Sequence, residues 1–167
     1  MAHPLNLEPA LRELYAHARE GYPEEVCGFL LAPEAEGGPP EVRRCENRQN
    51  ALHALDPATF PRDARTAYNL GPKDLLWLNK SLGGARPVKI IYHSHIDVGA
   101  YFSAEDERAA LLDGELLYPV DYLVIDAGPS GPRGARLFQY RGGRFIEIAA
   151  YPAPPDIAAP AGKDPPR

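Results

Sequence analysis

Apolar residues recur every three to four positions in the first twenty residues, and charged residues fill most positions between them. The apolar positions are Leu5, Leu7, Leu11, Leu14, Tyr15 and Ala18. This spacing places them on one face of an amphipathic helix, and Gly21 and Pro23 predict its end. The run that follows, residues 26–32, is almost wholly apolar and bounded by prolines, which is typical of a strand buried on both faces.

The middle of the chain alternates between strand-like and helical patterns. Residues 41–47 alternate charged and smaller side chains, as in a half-exposed strand with antiparallel neighbours. Within a segment punctuated by prolines, residues 65–70 are a candidate strand. Pro72 suits the first turn of a leucine-rich helix that ends at the Gly-Gly pair 83–84. Residues 88–93, with the sequence VKIIYH, are rich in β-branched and aromatic side chains and predict another strand.

The remaining pattern predicts one more helix and three strands. The helix begins at Ser103, which can act as its N-cap, and Asp106 stands at the capping-box position three residues later. Apolar residues continue the helical pattern to Leu112. The strands are predicted at residues 122–125, 135–140 and 144–149, with the last two joined as a hairpin. The fold class is therefore α/β, an α/β sandwich around one mixed sheet.

Length and composition indicate one domain over residues 1–150, followed by a proline-rich tail over 151–167 that is predicted to be disordered. The formal net charge of −5, without a basic stripe, argues against nucleic acid as a partner. No apolar run is long enough for a membrane span and no signal peptide is evident, which predicts a cytoplasmic protein. Cys27 and Cys45 are accordingly expected to be reduced and to behave as small buried apolar groups.

Candidate chemistry is concentrated at the end of the strand VKIIYH. His93 and His95 are two positions apart, so a strand presents both imidazoles on one face and turns Ser94 to the other. Asp106 lies on the first turn of the following helix. Two imidazoles and one carboxylate are the ligand set of a catalytic zinc ion, whose fourth position stays open for water. Neither cysteine has the spacing of a structural zinc site.

Each part of this constellation also has a plainer interpretation. A His-X-His pair at a strand end is often a surface feature, and Ser followed by Asp three residues later is a common helix start. Glu25, taken without further context, is a solvated charge beside Glu24. Asp97 is expected to be solvated because it is out of register with the two histidines. His3 and His17 are predicted on the surface, His53 as a satisfied loop histidine and Trp77 in the core.

The joint pattern resembles the signature of the JAMM (MPN+) metalloprotease family. The matching positions are His93, His95, Ser103 and Asp106. Members of that family carry a glutamate as general base in a Pro-X-Glu-X-Cys-Gly segment, and this chain reads PEEVCG from residue 23, which assigns that position to Glu25. Many members follow the second histidine with proline, whereas here Ile96 and Asp97 stand there.

The resemblance implies a fold, a cofactor and an activity. The fold is the cytidine-deaminase-like MPN sandwich, with a mixed, mostly antiparallel curved sheet flanked by helices. The cofactor is one catalytic zinc ion with water as its fourth ligand, and Ser103 would help to hold the oxyanion. The activity is hydrolysis of peptide or isopeptide bonds after the C-terminal Gly-Gly of a ubiquitin-like or sulfur-carrier protein. The chain resembles stand-alone prokaryotic members such as desampylases and sulfur-carrier-protein/cysteine peptidases.

Alternatives to this activity stay open at the level of the sequence. One is a catalytically silent MPN-type module that binds proteins. Another is a zinc hydrolase of a different amide or of a DNA-associated substrate. The oligomeric state is also open, with a homodimer as one arrangement. For the hydrolase, a Gly-Gly tail is expected to add as an extended strand beside residues 60–70.

Overall fold

A computed structural model describes residues 5–157 of the 167-residue chain. The helices are α1 (Glu8–Gly21), α2 (Gln49–Leu55), α3 (Pro72–Leu82) and α4 (Ala104–Ala110). The strands are β1 (Cys27–Leu31), β2 (Glu41–Cys45), β3 (Val88–Ile96), β4 (Leu111–Leu112), β5 (Glu115–Leu116), β6 (Asp121–Gly128), β7 (Gly131–Arg141) and β8 (Arg144–Pro152). Six of them form one sheet in the order β2-β1-β3-β6-β7-β8, and β4 and β5 form a separate hairpin.

Strand β3 lies near the middle of the six-stranded sheet. It pairs antiparallel with β1, where His93 is opposite Cys27, and parallel with β6, where His93 is opposite Val124. The other pairs in this sheet are antiparallel. The predicted α/β class with a mixed, mostly antiparallel sheet flanked by helices is therefore confirmed. Because β3 has a partner on each side, its backbone is held along its whole length.

The sheet separates two apolar clusters. On one face α1 packs against the sheet through residues such as Leu14 and Tyr15, which meet Ile90 and Tyr92 of β3. On the other face Leu78 of α3 and Ala110 of α4 join Cys27, Phe29 and Ile91. Successive side chains of a strand alternate between faces, so His93 and His95 lie on the same side as Ile91, the side of α3 and α4. The sheet therefore aims both histidines at the helix that carries Asp106.

Helix α4 ends two residues earlier than its apolar pattern predicts. Leu111 takes an extended conformation (φ −114°, ψ 146°) and starts the β4–β5 hairpin. The turn of that hairpin contains Asp113 and Gly114, both with positive φ (52° and 81°). An Asp-Gly pair between short apolar segments is a hairpin signal, because only a few residue types accept this backbone conformation readily. The Asp-Gly pair is therefore a sequence signal for the β4–β5 hairpin, which is absent from the predicted elements.

The segment that follows β2 also differs from its prediction. The candidate strand at 65–70 is wrong, since that segment has only one isolated bridge, between Asn47 and Leu70. Helix α2 was not predicted. Side-chain amides hold the segment instead: Asn47 Nδ2 donates to the carbonyls of Glu25 and Ala67, and Gln49 Nε2 donates to the carbonyl of Arg62. Side-chain hydrogen bonds of this kind replace a strand ladder and leave no periodic pattern.

The C-terminal part of the described chain extends the sheet. Strand β8 runs to Pro152, and the Tyr15 hydroxyl donates to the Tyr151 carbonyl at 2.6 Å. Asp156 forms an ion pair with Arg12 of α1 at 2.5 Å, and Ile157 packs against the α1 side of the core. Residues 151–157 therefore belong to the fold, in contrast to the predicted disordered tail that was to begin at 151. The rest of that tail, 158–167, lies outside the described residues.

Three other sequence expectations have clear outcomes. Trp77 is half-buried rather than in the core; its ring is parallel to Phe29, and the Arg43 guanidinium lies 4.2 Å from its centre. Cys27 and Cys45 are both free and buried, as expected. His3 lies outside the described residues. Among residues 5–157, no helix has both the length and the apolar character that a membrane crossing requires.

His17 of α1 is half-buried, so its prediction as a surface residue is wrong. Its Nδ1 lies 2.7 Å from the Tyr92 hydroxyl. Burial lowers the pKa of His17 to about 4, and the charge of Arg44 acts in the same direction, while Glu20 and Glu13 oppose it. The neutral imidazole is therefore part of the packing between α1 and the sheet.

This burial makes folding stability dependent on pH. In the unfolded chain His17 takes up a proton near pH 6.5, but in the folded chain only near pH 4, so acid favours the unfolded state between these values. His17→Gln should remove this contribution. The difference in unfolding free energy between the wild type and H17Q should fall by about 1 to 2 kcal/mol from pH 7 to pH 4, after a discount for solvent screening. Urea unfolding of both proteins, in the presence of a chelator that keeps them free of metal, measures this difference. A difference that stays constant between pH 7 and pH 4 would contradict the role given to burial.

Candidate metal centre

Strand β3 supplies two buried histidines. His93 is completely buried and His95 is 4% exposed, and their ring centres are 5.0 Å apart. The strand was predicted to end at His93, but it continues to Ile96 because pairing with β6 extends to that residue. Both imidazoles therefore lie within a regular strand. Ser94 faces the opposite way, and its hydroxyl accepts a hydrogen bond from the Val26 N–H at 2.8 Å.

Helix α4 supplies the carboxylate. The predicted capping box is present: the Asp106 N–H donates to Ser103 Oγ at 3.1 Å, and the Ser103 N–H donates to Asp106 Oδ2 at 2.9 Å. The cap fixes the orientation of the Asp106 side chain. Its Oδ1 lies 3.0 Å from His93 Nε2, and its Oδ2 lies 3.2 Å from His95 Nε2. The helix start and the strand thus converge on one point.

The three side chains fit a metal ion. Their ligand atoms all lie within 4.8 Å of one another, and all three residues are buried. His95 Nδ1 lies 3.1 Å from the Gly99 carbonyl, which favours a proton on Nδ1 and leaves Nε2 free as a ligand. Although His93 Nε2 lies close to Asp106, neither ring nitrogen of His93 has a hydrogen bond of good geometry. Buried polar atoms normally have partners, and a divalent cation would satisfy Nε2.

The electrostatics favour the protonation states that metal ligands need. Burial lowers the pKa of His93 and so keeps its imidazole neutral. Burial alone would raise the pKa of Asp106, but the two neighbouring imidazoles and the Ser103 N–H hold it well below its usual range. At neutral pH the group therefore presents a neutral His93 imidazole and an Asp106 carboxylate. Metal binding to these groups requires no loss of protons from the ligand atoms.

Glu25 lies at the same pocket as these residues. The pocket has a volume of about 420 Å³ and is lined by Glu25, His95, Ser103 and Asp106, among others. Glu25 is 7% exposed; burial raises its pKa to about 8, assisted by the charge of Asp106 and opposed by Arg62. Its neighbour Glu24 is exposed and accepts a hydrogen bond from Asn50 instead. Of the two adjacent glutamates, Glu25 is therefore the one buried at this pocket.

Backbone contacts hold Glu25 in this position. Its N–H donates to the Ala64 carbonyl at 2.7 Å, and its carbonyl accepts from Asn47 Nδ2 at 2.9 Å. Two tyrosines also support the histidines: the Tyr68 ring stacks on His93 at 4.4 Å, and the Tyr101 ring meets His95 edge-on at 4.8 Å. None of these supporting residues was identified from the sequence, because they come from separate loops whose positions depend on the whole fold.

The remaining polar residues of the sequence analysis lie outside the cluster. Asp97 is exposed and accepts a hydrogen bond from the Tyr22 hydroxyl at 3.0 Å. His53 is satisfied by the Phe60 carbonyl at 2.6 Å, although it lies on α2 and not in a loop. Cys27, opposite His93 in the sheet, is fully buried, and burial raises its pKa well above the usual range, which keeps it a thiol. It packs beneath the histidines.

The fold and the site together define a class: α/β domains in which a His-X-His strand and a helix-start aspartate meet beside a buried glutamate. Residues 7–136 match the family described as prokaryotic homologs of the JAB domain. The chain belongs to this family. The resemblance to JAMM/MPN proteins noted from the motifs is therefore confirmed.

Known proteins with similar sequences and folds agree with this membership. The chain is 32% identical over 98 residues to the CysO-cysteine peptidases of Mycobacterium bovis and Mycobacterium tuberculosis. The match covers 58% of this chain and 58% of each relative, less than two thirds of their length. The solution structure of DSY2949 from Desulfitobacterium hafniense has a TM-score of 0.55 at 22% identity, covering 85% of this chain and 87% of that one. A Salinibacter ruber protein has a TM-score of 0.55 at 19% identity, covering 92% and 94%. These two structures support the fold.

The metal centre can be tested with Asp106→Asn. The asparagine oxygen can still accept the Ser103 N–H and keep the helix cap, but the negative charge beside the histidines is lost. We expect the affinity of metal-stripped protein for Zn²⁺ to fall about 100-fold or more, measured by calorimetric titration. Glu107→Gln, an exposed change in the same helical turn, is the matched control and should leave the affinity unchanged. Equal affinities of D106N and the wild type would exclude Asp106 as a ligand.

Proposed function

We propose that the protein is a zinc-dependent hydrolase that cleaves the peptide or isopeptide bond after the C-terminal Gly-Gly of a ubiquitin-like or sulfur-carrier protein. The observation that carries the proposal is the buried cluster of His93, His95 and Asp106, beside a pocket that also contains Glu25. Membership of the JAB-domain family and similarity to proteins named CysO-cysteine peptidase support it. The latter name also favours a sulfur-carrier protein as the partner.

The ligand set favours zinc among divalent cations. Two imidazoles and one carboxylate are typical of catalytic zinc sites, in which three protein ligands leave a coordination position open. His93 and His95 would bind through Nε2, the nitrogens that face Asp106. When bound, zinc acidifies water and polarises the substrate carbonyl.

Glu25 is suited to carry the proton in this reaction. It would accept a proton from the attacking water and deliver it to the leaving amine as the C–N bond breaks. Its burial raises its affinity for protons, so that uptake and release are both accessible near neutral pH. Its backbone contacts with Ala64 and Asn47 keep the carboxylate at the pocket throughout.

Ser103 is suited to stabilise the developing oxyanion. Its Oγ accepts the Asp106 N–H, so its own proton stays available for donation, and the residue lines the pocket. The helix cap thus orients the hydroxyl before substrate binds.

The pocket offers a place for an extended, narrow segment. One wall is formed by backbone and side chains of residues 59–62 and 66–69, and the other includes Glu105 and Ala109 of α4. Within residues 65–69, the Ala67 carbonyl and both backbone groups of Asn69 already bond to residues 47 and 48. The Tyr68 N–H and carbonyl have no hydrogen-bond partner among the described residues, so they are the backbone groups available for addition of a peptide strand. Glycine residues allow a tail to pass close to such walls, since they have no side chains.

The role of Glu25 can be tested with Glu25→Gln. The variant should bind as much zinc per molecule as the wild type, measured by metal analysis, because Glu25 is not part of the ligand cluster. Its cleavage rate should fall by at least about 10²- to 10⁴-fold, the usual contribution of general acid–base catalysis. The substrates are Gly-Gly-tailed carriers from the same genome, extended by one cysteine or joined to a lysine side chain. Glu24→Gln is the control and should retain activity.

Two outcomes would count against the proposal. Normal turnover by the zinc-loaded E25Q variant would remove Glu25 from the mechanism. Failure of the wild-type protein to bind zinc would favour the alternative of a catalytically silent binding module.

A further inference from the structure

A second, smaller pocket adjoins the proposed catalytic centre. It has a volume of about 150 Å³ and shares Glu25, Arg62, Thr66, His95 and Ser103 with the larger pocket. Its volume is well below the roughly 300 Å³ at which pockets for drug-sized ligands begin, so it suits a group of a few heavy atoms. We call it the leaving-group pocket. Arg62 stands where the two pockets meet, and the residues that line only the smaller one include Arg65, Val98 and Tyr101.

The arginine wall is held in place by the protein backbone. Arg62 and Arg65 lie on either side of Ala64, which is 1% exposed. The Ala64 N–H donates to Asn50 Oδ1 at 2.8 Å, and its carbonyl accepts the Glu25 N–H at 2.7 Å. The Arg62 carbonyl in turn accepts a hydrogen bond from Gln49 at 2.7 Å. The backbone of the loop is therefore tied to Glu25 itself, and both arginines line the leaving-group pocket.

These two arginines keep unused hydrogen-bonding capacity. Among residues 5–157, the Arg65 guanidinium has no carboxylate partner, and the Asp63 carboxylate accepts the Arg65 backbone N–H instead. The Arg62 guanidinium donates one long hydrogen bond to the Thr66 carbonyl at 3.4 Å and lies 3.8 Å from Glu105, whose carboxylate also pairs with Arg108. In a chain with a formal charge of −5, two such guanidinium groups at one pocket are unexpected. Guanidinium groups match carboxylates because they donate two parallel hydrogen bonds.

The opposite wall is apolar and exposed. Val98 is 61% exposed and Tyr101 is 50% exposed, both on the loop that follows β3. Gly99 (φ 89°) turns this loop, and the Tyr101 ring rests edge-on against His95. A pocket with a basic wall and an apolar wall matches the two ends of an amino acid.

We propose that the leaving-group pocket binds a single amino acid with a free α-carboxylate. Arg62 and Arg65 hold the carboxylate, and Val98 and Tyr101 contact the side chain. This inference rests on the proposed function and specifies its substrate: a carrier whose Gly-Gly tail is extended by one C-terminal residue, in preference to a carrier attached to a lysine side chain within a protein.

The chemistry of the bond explains why these residues can discriminate. Hydrolysis adds the oxygen of water to the carbonyl carbon of the second glycine, breaks its C–N bond and transfers a proton to the nitrogen. The products are the carrier with a Gly-Gly carboxylate and the free amino acid. In a C-terminal amino acid the α-carboxylate is separated from this nitrogen by one carbon, so it lies beside the reacting bond. In a lysine isopeptide the nitrogen is separated from any carboxylate by the whole side chain.

The test compares two substrates that differ only in this charge. One is a sulfur carrier ending in Gly-Gly-Cys with a free carboxylate, and the other is the same protein with a C-terminal amide. Arg62→Gln and Arg65→Gln should each lower kcat/KM for the free acid by about 10- to 100-fold, mainly through KM. The amide should be a poor substrate for the wild type, and the variants should lower its turnover by less than about threefold. Arg144→Gln, an exposed arginine at the start of β8 that lines neither pocket, should behave as the wild type.

A binding experiment separates this inference from the proposed function. Zinc-loaded E25Q is titrated with the acid and the amide substrate in a calorimeter, and tighter binding of the acid, lost in R62Q and R65Q, supports the pocket. Equal binding or equal turnover of acid and amide by proteins with intact arginines would overturn the inference. An equal loss of turnover of both substrates in R62Q and R65Q would also overturn it. If the wild type cleaves neither substrate, the proposed function fails, and the calorimetric comparison still decides whether the arginines bind a carboxylate.

Discussion

The site depends on the two contacts that the Asp106 carboxylate makes at once. It accepts the Ser103 N–H at 2.9 Å, which begins α4, and it lies 3.0 and 3.2 Å from the imidazole nitrogens of β3. A helix start and a strand end are thereby held together in the interior, where a charge without partners would be costly. The same carboxylate serves local folding and the candidate metal site, so the helix cannot shift without moving a ligand.

The support for Glu25 has a different origin. Its backbone is bonded to Ala64, in a segment almost forty residues away, and to Asn47, two residues after β2. That segment also carries the two arginines of the leaving-group pocket. Proton transfer and recognition of the leaving group are therefore proposed to depend on one anchored loop. A shift of this loop would move both Glu25 and the two arginines.

Features held by interactions between residues close in the sequence were predictable, and features held by interactions between distant segments were not. Strand β3, the capping box at Ser103 and the common face of His93 and His95 were predictable, because periodicity and capping act over a few residues. The convergence of these two histidines with Asp106 was predicted from ligand chemistry and the family motif instead. Helix α2 and the loop over 56–67 were not, since amide side chains such as Asn47 and Asn50 hold them through distant backbone groups. The packing of residues 151–157 on α1 was also not predicted, because a proline-rich segment with few large apolar residues has no periodic pattern. Glu25 was identified only through the family motif, since burial is invisible in a pair of adjacent glutamates.

The parallel pairing of β3 with β6 has a consequence for the order in which the molecule assembles. Parallel neighbours need a crossover, and here residues 97–120 form it and carry α4. The two histidines are neighbours on β3 itself, whereas Asp106 reaches them only once the crossover has docked on the sheet. A complete set of ligands is thus a property of the finished tertiary structure, and a nascent or partly unfolded chain presents two nitrogen donors without the oxygen donor that completes the site.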